Sequence, residues 1–104
     1  MEGMPELLND EEVGKALGGL QEWTLDEGPV RALRREVELA SFPQAIQVVN
    51  RVAEIAENDN HHPDIDIRWR TLTFRCSTHS AGGITASDVS LAEEIEGVLD
   101  AMTE

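Results

Sequence analysis

The sequence predicts an α+β fold: a four-stranded, mainly antiparallel sheet with three helices on one face, in the order α-β-β-α-β-β-α. Two observations carry this. Apolar residues alternate in some stretches, as in Ile65, Ile67 and Trp69, and recur with helical period in others, as from Phe42 to Ala56. The alternating stretches also come as two adjacent pairs on either side of the longest helical stripe, which makes each pair a hairpin and the sheet antiparallel.

Each element has a local cause. Asn9 or Asp10 caps a first helix running to about Leu17, with Glu11 and Glu12 near its positive end, and Gly18-Gly19 stops it. Trp23 and Leu25 alternate in a short strand, Asp26-Glu27-Gly28-Pro29 is the turn, and the return strand covers about Val30 to Leu39. On that strand Leu33, Val37 and Leu39 share one face, and Arg34, Glu36 and Glu38 the other. Ser41 opens the second helix, with Gln44 as a capping-box partner and Pro43 tolerated in the first turn. Its apolar stripe is Phe42, Ala45, Ile46, Val49, Val52, Ala53 and Ala56, and Glu57-Asn58-Asp59-Asn60 is a polar exit. Ile65, Ile67 and Trp69 define a third strand, and Leu72, Phe74 and Cys76 a fourth. After the Ser80-Ala81-Gly82-Gly83 loop, Thr85 and Asp88 cap a third helix that buries Leu91, Ala92, Ile95, Val98, Leu99 and Met102.

The chain of 104 residues fits one domain, with residues 1–8 expected to form a loose arm. The net charge of −13 is uneven: residues 1–30 hold eight acids against Lys15, residues 76–104 hold six acids and no Lys or Arg, and residues 31–75 hold seven of each sign. An acidic shell lacks the basic footprint that nucleic acid or an anionic membrane requires, so neither is an expected partner. No apolar run approaches the roughly 20 residues of a membrane span. The acidic start, MEGMPELLNDEE, is unlike a signal peptide, and a cytoplasmic location is expected. Cys76 is the single cysteine, expected to be a small buried hydrophobe on a strand. Helices on one face leave the other side of the sheet to be covered, which points to self-association.

His61 and His62 follow the second helix, and His79 ends the fourth strand; a neighbouring hairpin brings both places to one end of the sheet. The unperturbed imidazole is the side chain that titrates nearest neutrality, so one ring donates a proton while another accepts. That suits a dehydration or isomerisation with neither cofactor nor metal. A three-histidine zinc site is the competing chemistry, disfavoured because adjacent residues on an extended segment point apart. No nucleophile elbow is present, and Gly82-Gly83 is too short for a phosphate loop.

The run Glu57-Asn58-Asp59-Asn60-His61-His62-Pro63 resembles the E-x-x-x-H-H-P signature of the pterin-4a-carbinolamine dehydratases. The likeness continues through Trp69, Thr78-His79, Gly83-Ile84-Thr85, Asp88 and Leu91-Ala92, with Trp23 and Ser41-Phe42 upstream, over about residues 10–102. The resemblance implies the same α-β-β-α-β-β-α fold and the removal of water from a 4a-hydroxytetrahydropterin, giving the quinonoid dihydropterin. By similarity His61, His62 and His79 carry catalysis, Pro63, Thr78, Ser80 and Ala81 line the pterin pocket, and Glu57 orients a histidine. No cofactor is implied, and the family habit is a homodimer or homotetramer. The chain departs from the family at Ser80, where many members carry a carboxylate, and at Trp69-Arg70, where Tyr-Asn is common. A second reading, a non-catalytic homodimeric interaction module, stays open because some members are dimerisation partners of transcription factors.

Overall fold

In the computed structural model, which describes residues 6–103, the elements follow the expected order. They are α1 (Asp10–Gly18), β1 (Thr24–Asp26), β2 (Ala32–Glu38), α2 (Phe42–Asp59), β3 (Asp64–Arg68), β4 (Thr71–Cys76) and α3 (Ala86–Met102). Each helix starts on a side-chain cap. Asn9 and Glu12 form a complete capping box on α1, and Thr85 and Asp88 form one on α3. On α2 the Ser41 hydroxyl accepts from the Gln44 N–H, but the Gln44 carboxamide does not close a box. Its oxygen accepts from the Ala40 N–H, and its nitrogen donates to the Met102 carbonyl, tying the start of α2 to the end of α3.

The sheet is antiparallel throughout, in the order β1-β2-β4-β3. Both expected hairpins form, and α2 carries the chain from β2 to the far edge, so that β4 returns to pair with β2. The register places Leu33 opposite Cys76, Val37 opposite Leu72 and Ile65 opposite Phe74. Side chains alternate across a strand, so these residues share one face. They join Val48, Val52, Leu91, Ile95 and Leu99 of the helices in the core. Cys76 lies in that core, where burial, with lesser help from the Asp88 and Asp64 charges, pushes its thiol far up.

Several boundaries differ from expectation. Trp23 sits one residue ahead of β1, buried, with its indole N–H donating to Glu96. The return strand is shorter than Val30–Leu39, because the Asp26 carboxylate accepts from the Gly28 N–H and extends the turn. Trp69 is not in a strand; it has φ 58° in the turn between β3 and β4 and is 72% exposed. The buried line of α2 is Ala45, Val48, Val52 and Ala56, while Phe42 and Ala53 are exposed and Ile46 and Val49 half-buried. The apolar stripe is wider than the part of α2 that meets the core.

The face opposite the helices is polar, which corrects the expectation that it leaves apolar surface to be covered. Arg34 pairs there with Glu36, Arg68 with Asp66, and Arg75 with Asp26 at 2.8 Å. The alternation that sends Leu72 and Phe74 inward sends Thr71, Thr73 and Arg75 outward. Among the described residues no helix is long and apolar enough to cross a membrane. Within the residues expected to form an arm, the Leu8 N–H donates to the Ile84 carbonyl at 2.9 Å; Met1–Pro5 lie outside the described residues.

Candidate functional site

The end of α2 delivers the first two histidines. Asn60 adopts the left-handed conformation (φ 54°, ψ 40°) and donates its N–H to Glu57, while the His61 N–H reaches back to the Ala56 carbonyl at 3.1 Å. This paired closure of a helix C-terminus is one that asparagine tolerates better than most residues. It fixes the backbone of His61, and Pro63 then leads into β3.

β3 and β4 bring the second motif to the same end of the sheet. Asp64, the first residue of β3, pairs with Arg75 near the end of β4, so His61-His62-Pro63 and Ser77-Thr78-His79 leave the ladder side by side. The second segment turns back at once. Thr78 and Gly83 bridge, the Gly82 N–H donates to the Thr78 carbonyl at 2.9 Å, and Gly82 has φ 77°, a conformation natural to glycine. His79 and Ser80 are exposed on this turn and Ala81 is half-buried.

The two segments meet on Asp88, at the third position of α3. Asp88 is 0% exposed. Its Oδ2 accepts from the Thr85 N–H at 2.8 Å and the Thr78 hydroxyl at 2.7 Å, and its Oδ1 lies 2.6 Å from Nε2 of His61. The Thr78 and Thr85 hydroxyls are 2.8 Å apart. Because the Thr78 hydroxyl proton goes to Asp88, the Thr85 hydroxyl donates to Thr78. Oδ2 thus accepts two hydrogen bonds beside the N-terminus of α3. With the carboxylate ionised, Oδ1 only accepts, and the proton shared with His61 is on Nε2. Nδ1 of His61 is then the nitrogen left for chemistry.

His62 repeats the arrangement at the surface. Its Nε2 is 2.9 Å from Oε1 of Glu57, one turn earlier on α2. The His62 side chain is 55% exposed and Glu57 84%, against 19% for His61. The ring of His79 makes no hydrogen bond or ion pair among the described residues. The structure thus gathers His61, Thr78 and Asp88 through direct contacts and pairs His62 with Glu57, while His79, Ser80 and Ala81 are placed nearby by the turn that starts at Thr78. Among the described residues no three His, Cys, Asp or Glu side chains are grouped to hold a metal ion.

A hollow of about 260 Å³ adjoins His61, lined by Asp59, Ser87, Ser90 and Glu94. The hydrogen bond that the Glu94 carboxyl donates to Asp59 holds it above the usual carboxylate range, with slight burial and the Asp59 charge adding to the effect. A larger hollow of about 350 Å³ between α1 and α3, lined by Leu8, Ala16 and Val89 among others, contains none of the histidines.

The residue that sequence reading places elsewhere is Asp88. The Thr85-x-x-Asp88 spacing signals a helix cap, and the cap is present. That the same carboxylate turns its second oxygen to a histidine 27 positions earlier is not encoded in the spacing. The Thr78 hydroxyl is likewise committed to Asp88 and Thr85, a contact the sequence motif does not encode.

Comparison with known proteins gives the family and the fold. A family model described as pterin 4 alpha carbinolamine dehydratase matches residues 6–98. A relative from Nocardia farcinica, which carries the provisional name pterin-4-alpha-carbinolamine dehydratase, is 54% identical over 91 residues, covering 88% of this chain and 93% of its own. One from Mycolicibacterium vanbaalenii with the same provisional name is 53% identical, covering 89% and 97%. Among solved structures, a transcriptional coactivator/pterin dehydratase from Brucella melitensis superposes with a TM-score of 0.85 at 26% identity, over 89% of this chain and 98% of its own.

Proposed function

Because the chain belongs to the pterin-4a-carbinolamine dehydratase family, we propose that it is a hydro-lyase that removes water from a 4a-hydroxytetrahydropterin to give the quinonoid dihydropterin. The reaction breaks the bond between ring carbon and hydroxyl oxygen, takes the proton from the adjacent ring nitrogen, and closes a C=N bond between the two. One protonated imidazole gives its proton to the departing hydroxyl, and one neutral imidazole takes the N–H proton, so protons and electrons balance without a cofactor.

The observation that carries this reading is the 2.6 Å contact between His61 and the buried Asp88, set beside the 2.9 Å contact between His62 and Glu57. In each ring one nitrogen is committed to a carboxylate, and the other has no hydrogen-bond partner among the described residues. The committed nitrogen sets the tautomer, and the carboxylate stabilises the imidazolium form as the free nitrogen takes up a proton. His61, His62 and His79 are the proton-transfer groups in this reading, and Glu57 and Asp88 orient two of them. Pro63, Thr78, Ser80 and Ala81 are the pocket residues, and the Thr78 hydroxyl also supports Asp88. The test is dehydration of a 4a-hydroxytetrahydropterin by the purified protein against the spontaneous rate. Acceleration that is lost in His61→Ala and His62→Ala supports the reading, and a rate equal to the buffer blank in folded protein overturns it.

The protein acts in the cytoplasm as a homodimer or homotetramer in this proposal. The surface that supports self-association is α2 rather than the open sheet face: Phe42, Ile46, Val49 and Ala53 recur along its outer side, with Phe42 48% exposed. This apolar line also keeps the second reading, a non-catalytic interaction module, in view, since the structural relative from Brucella melitensis is called a coactivator as well as a dehydratase.

A further inference from the structure

The segment Gly83-Ile84, which links the His79 turn to the cap of α3, is held on both flanks. On one side the Gly83 carbonyl accepts from the Thr78 N–H at 2.7 Å. On the other runs the chain from Glu6 to Leu8. The Leu8 N–H donates to the Ile84 carbonyl at 2.9 Å, and Leu7 lies so close over Gly83 that a Cβ there would meet Leu7 Cδ2 at 2.9 Å. Leu8 packs half-buried against the core, so its N–H is a fixed point.

What lies beyond this segment is the polar network of the site. Thr85 follows Ile84 directly, and its N–H is one of the donors that fix Oδ2 of Asp88. Ile84 is itself only 3% exposed, so it has little room to absorb a displacement before it reaches Thr85. The other oxygen of Asp88 holds Nε2 of His61. A continuous path of contacts therefore runs from the Leu8 backbone through Ile84, Thr85 and Asp88 to the imidazole. Leu7, 53% exposed, contributes little to the core, and its notable contact is the one with Gly83.

We propose that Leu7 and Leu8 are positioning residues for His61: the arm is a strap whose bond to Ile84 and cover over Gly83 hold Thr85 and Asp88 where they fix the imidazole. This rests on the reading of His61 as a proton-transfer group, so the experiment includes a readout independent of turnover. In the full chain, Leu8→Pro removes the N–H and keeps much of the bulk, whereas Leu8→Met keeps both. Each is followed by thermal unfolding, by kcat and KM for the 4a-hydroxytetrahydropterin, and by NMR of the histidine ring nitrogens and their protons.

The expected result for Leu8→Pro is a shifted or broadened His61 Nε2–H signal with the His62 ring signals unmoved. Its kcat should fall about tenfold, as small misplacement of a reacting group does, with KM within about twofold of wild type. Leu8→Met should restore the His61 signal and the rate. If Leu8→Pro does not fold, Leu7→Ala, which retains the backbone donor and changes an exposed side chain, is read in the same way. An unmoved His61 signal in the folded variant overturns the strap, as does a wild-type kcat alongside a moved signal. If wild type shows no dehydration but the His61 signal moves in Leu8→Pro, the coupling stands and the dehydratase reading falls.

Discussion

Nε2 of His61 lies 2.6 Å from Oδ1 of Asp88, a carboxylate with no solvent exposure that also caps α3. One side chain thereby does two things that are often separate: it accepts the backbone N–H of the helix's N-cap residue, Thr85, and it orients a histidine on another element. The buried ion is supported by three short contacts, from His61, Thr78 and the Thr85 backbone. Removing any of them leaves a charge or a donor without its partner in the interior.

Asp88→Asn tests that dual role. The new amide can accept from His61 with one atom, but its NH2 group then faces the Thr85 N–H and the Thr78 hydroxyl, which are donors. Chemical denaturation should show a loss of about 1–3 kcal/mol, the usual cost of an unsatisfied buried group. The same variant should lower kcat by about ten- to a hundredfold, less than loss of a proton-transfer group itself. Unchanged stability and unchanged kcat together would mean that the contact is incidental.

The histidines should behave as a unit. His61→Ala and His62→Ala should each lower kcat by about 10²–10⁴-fold, and the double variant should fall little below the worse single one. The wild-type pH–rate profile should be a bell, reporting one protonated and one neutral ring. Full activity in a chelator, with the histidine variants inactive, separates proton transfer from an essential zinc. Wild-type rates in His61→Ala, His62→Ala and His79→Ala would reduce all three to ordinary loop residues.

Two carboxyls should respond to pH in opposite senses. A hydrogen bond from Arg75, helped by the Gly28 N–H, holds Asp26 below the ordinary carboxylate range. The folded state then favours the ionised form, so this pair stabilises the protein above the unfolded carboxylate value and loses that effect as pH falls through the folded one. Asp26→Asn should lower Tm at neutral pH and leave it unchanged in strong acid. Glu94 is raised by Asp59, so its stabilising effect is present only below the ordinary carboxylate value and is lost as pH rises through the folded one. Glu94→Gln should therefore raise Tm at neutral pH and have little effect below about pH 4. Thermal unfolding of both variants across that range reads the two signs, and a common direction for the two would refute the assignment.

Self-association should depend on α2. Sedimentation of wild type at micromolar concentration should give a species heavier than one chain, and Phe42→Asp combined with Val49→Asp should return it toward the single chain. Thr73→Ala, on the polar face of β4, should leave the assembly intact. A single-chain species for wild type would count against the oligomer.

The order of elements is legible in the sequence because each depends on contacts within a few residues. Alternation at Leu72, Phe74 and Cys76, the caps at Asn9 and Thr85, and the polar exit after Ala56 are local facts, and each appears where its neighbours dictate. Some departures follow from local turns, at Asp26–Gly28 and Trp69, and others from contacts outside the local window. Trp23 is drawn out of line with β1 by its bond to Glu96, 73 positions away. α2 turns Val48, which lies outside the expected stripe, inward and leaves Phe42, which lies in it, exposed, so the face that meets the core is rotated from the one expected.

The candidate site divides along the same line. Sequence by itself determined which residue types gather at one end of the sheet: His61 and His62 precede a strand, His79 follows the next, and a hairpin must return its second strand beside its first. Only the tertiary structure decided how they are used. The pairing of β2 with β4, the burial of Asp88, and the reach of His61 to α3 rather than to His62 or His79 depend on how helices separated by long stretches of chain settle on one sheet. The anchoring of Leu8 beside Ile84 has the same origin. Local pattern specifies φ, ψ and which side chains turn inward, whereas the choice of hydrogen-bond partner for a buried polar atom is settled by which donors the packed core leaves within 3 Å of it.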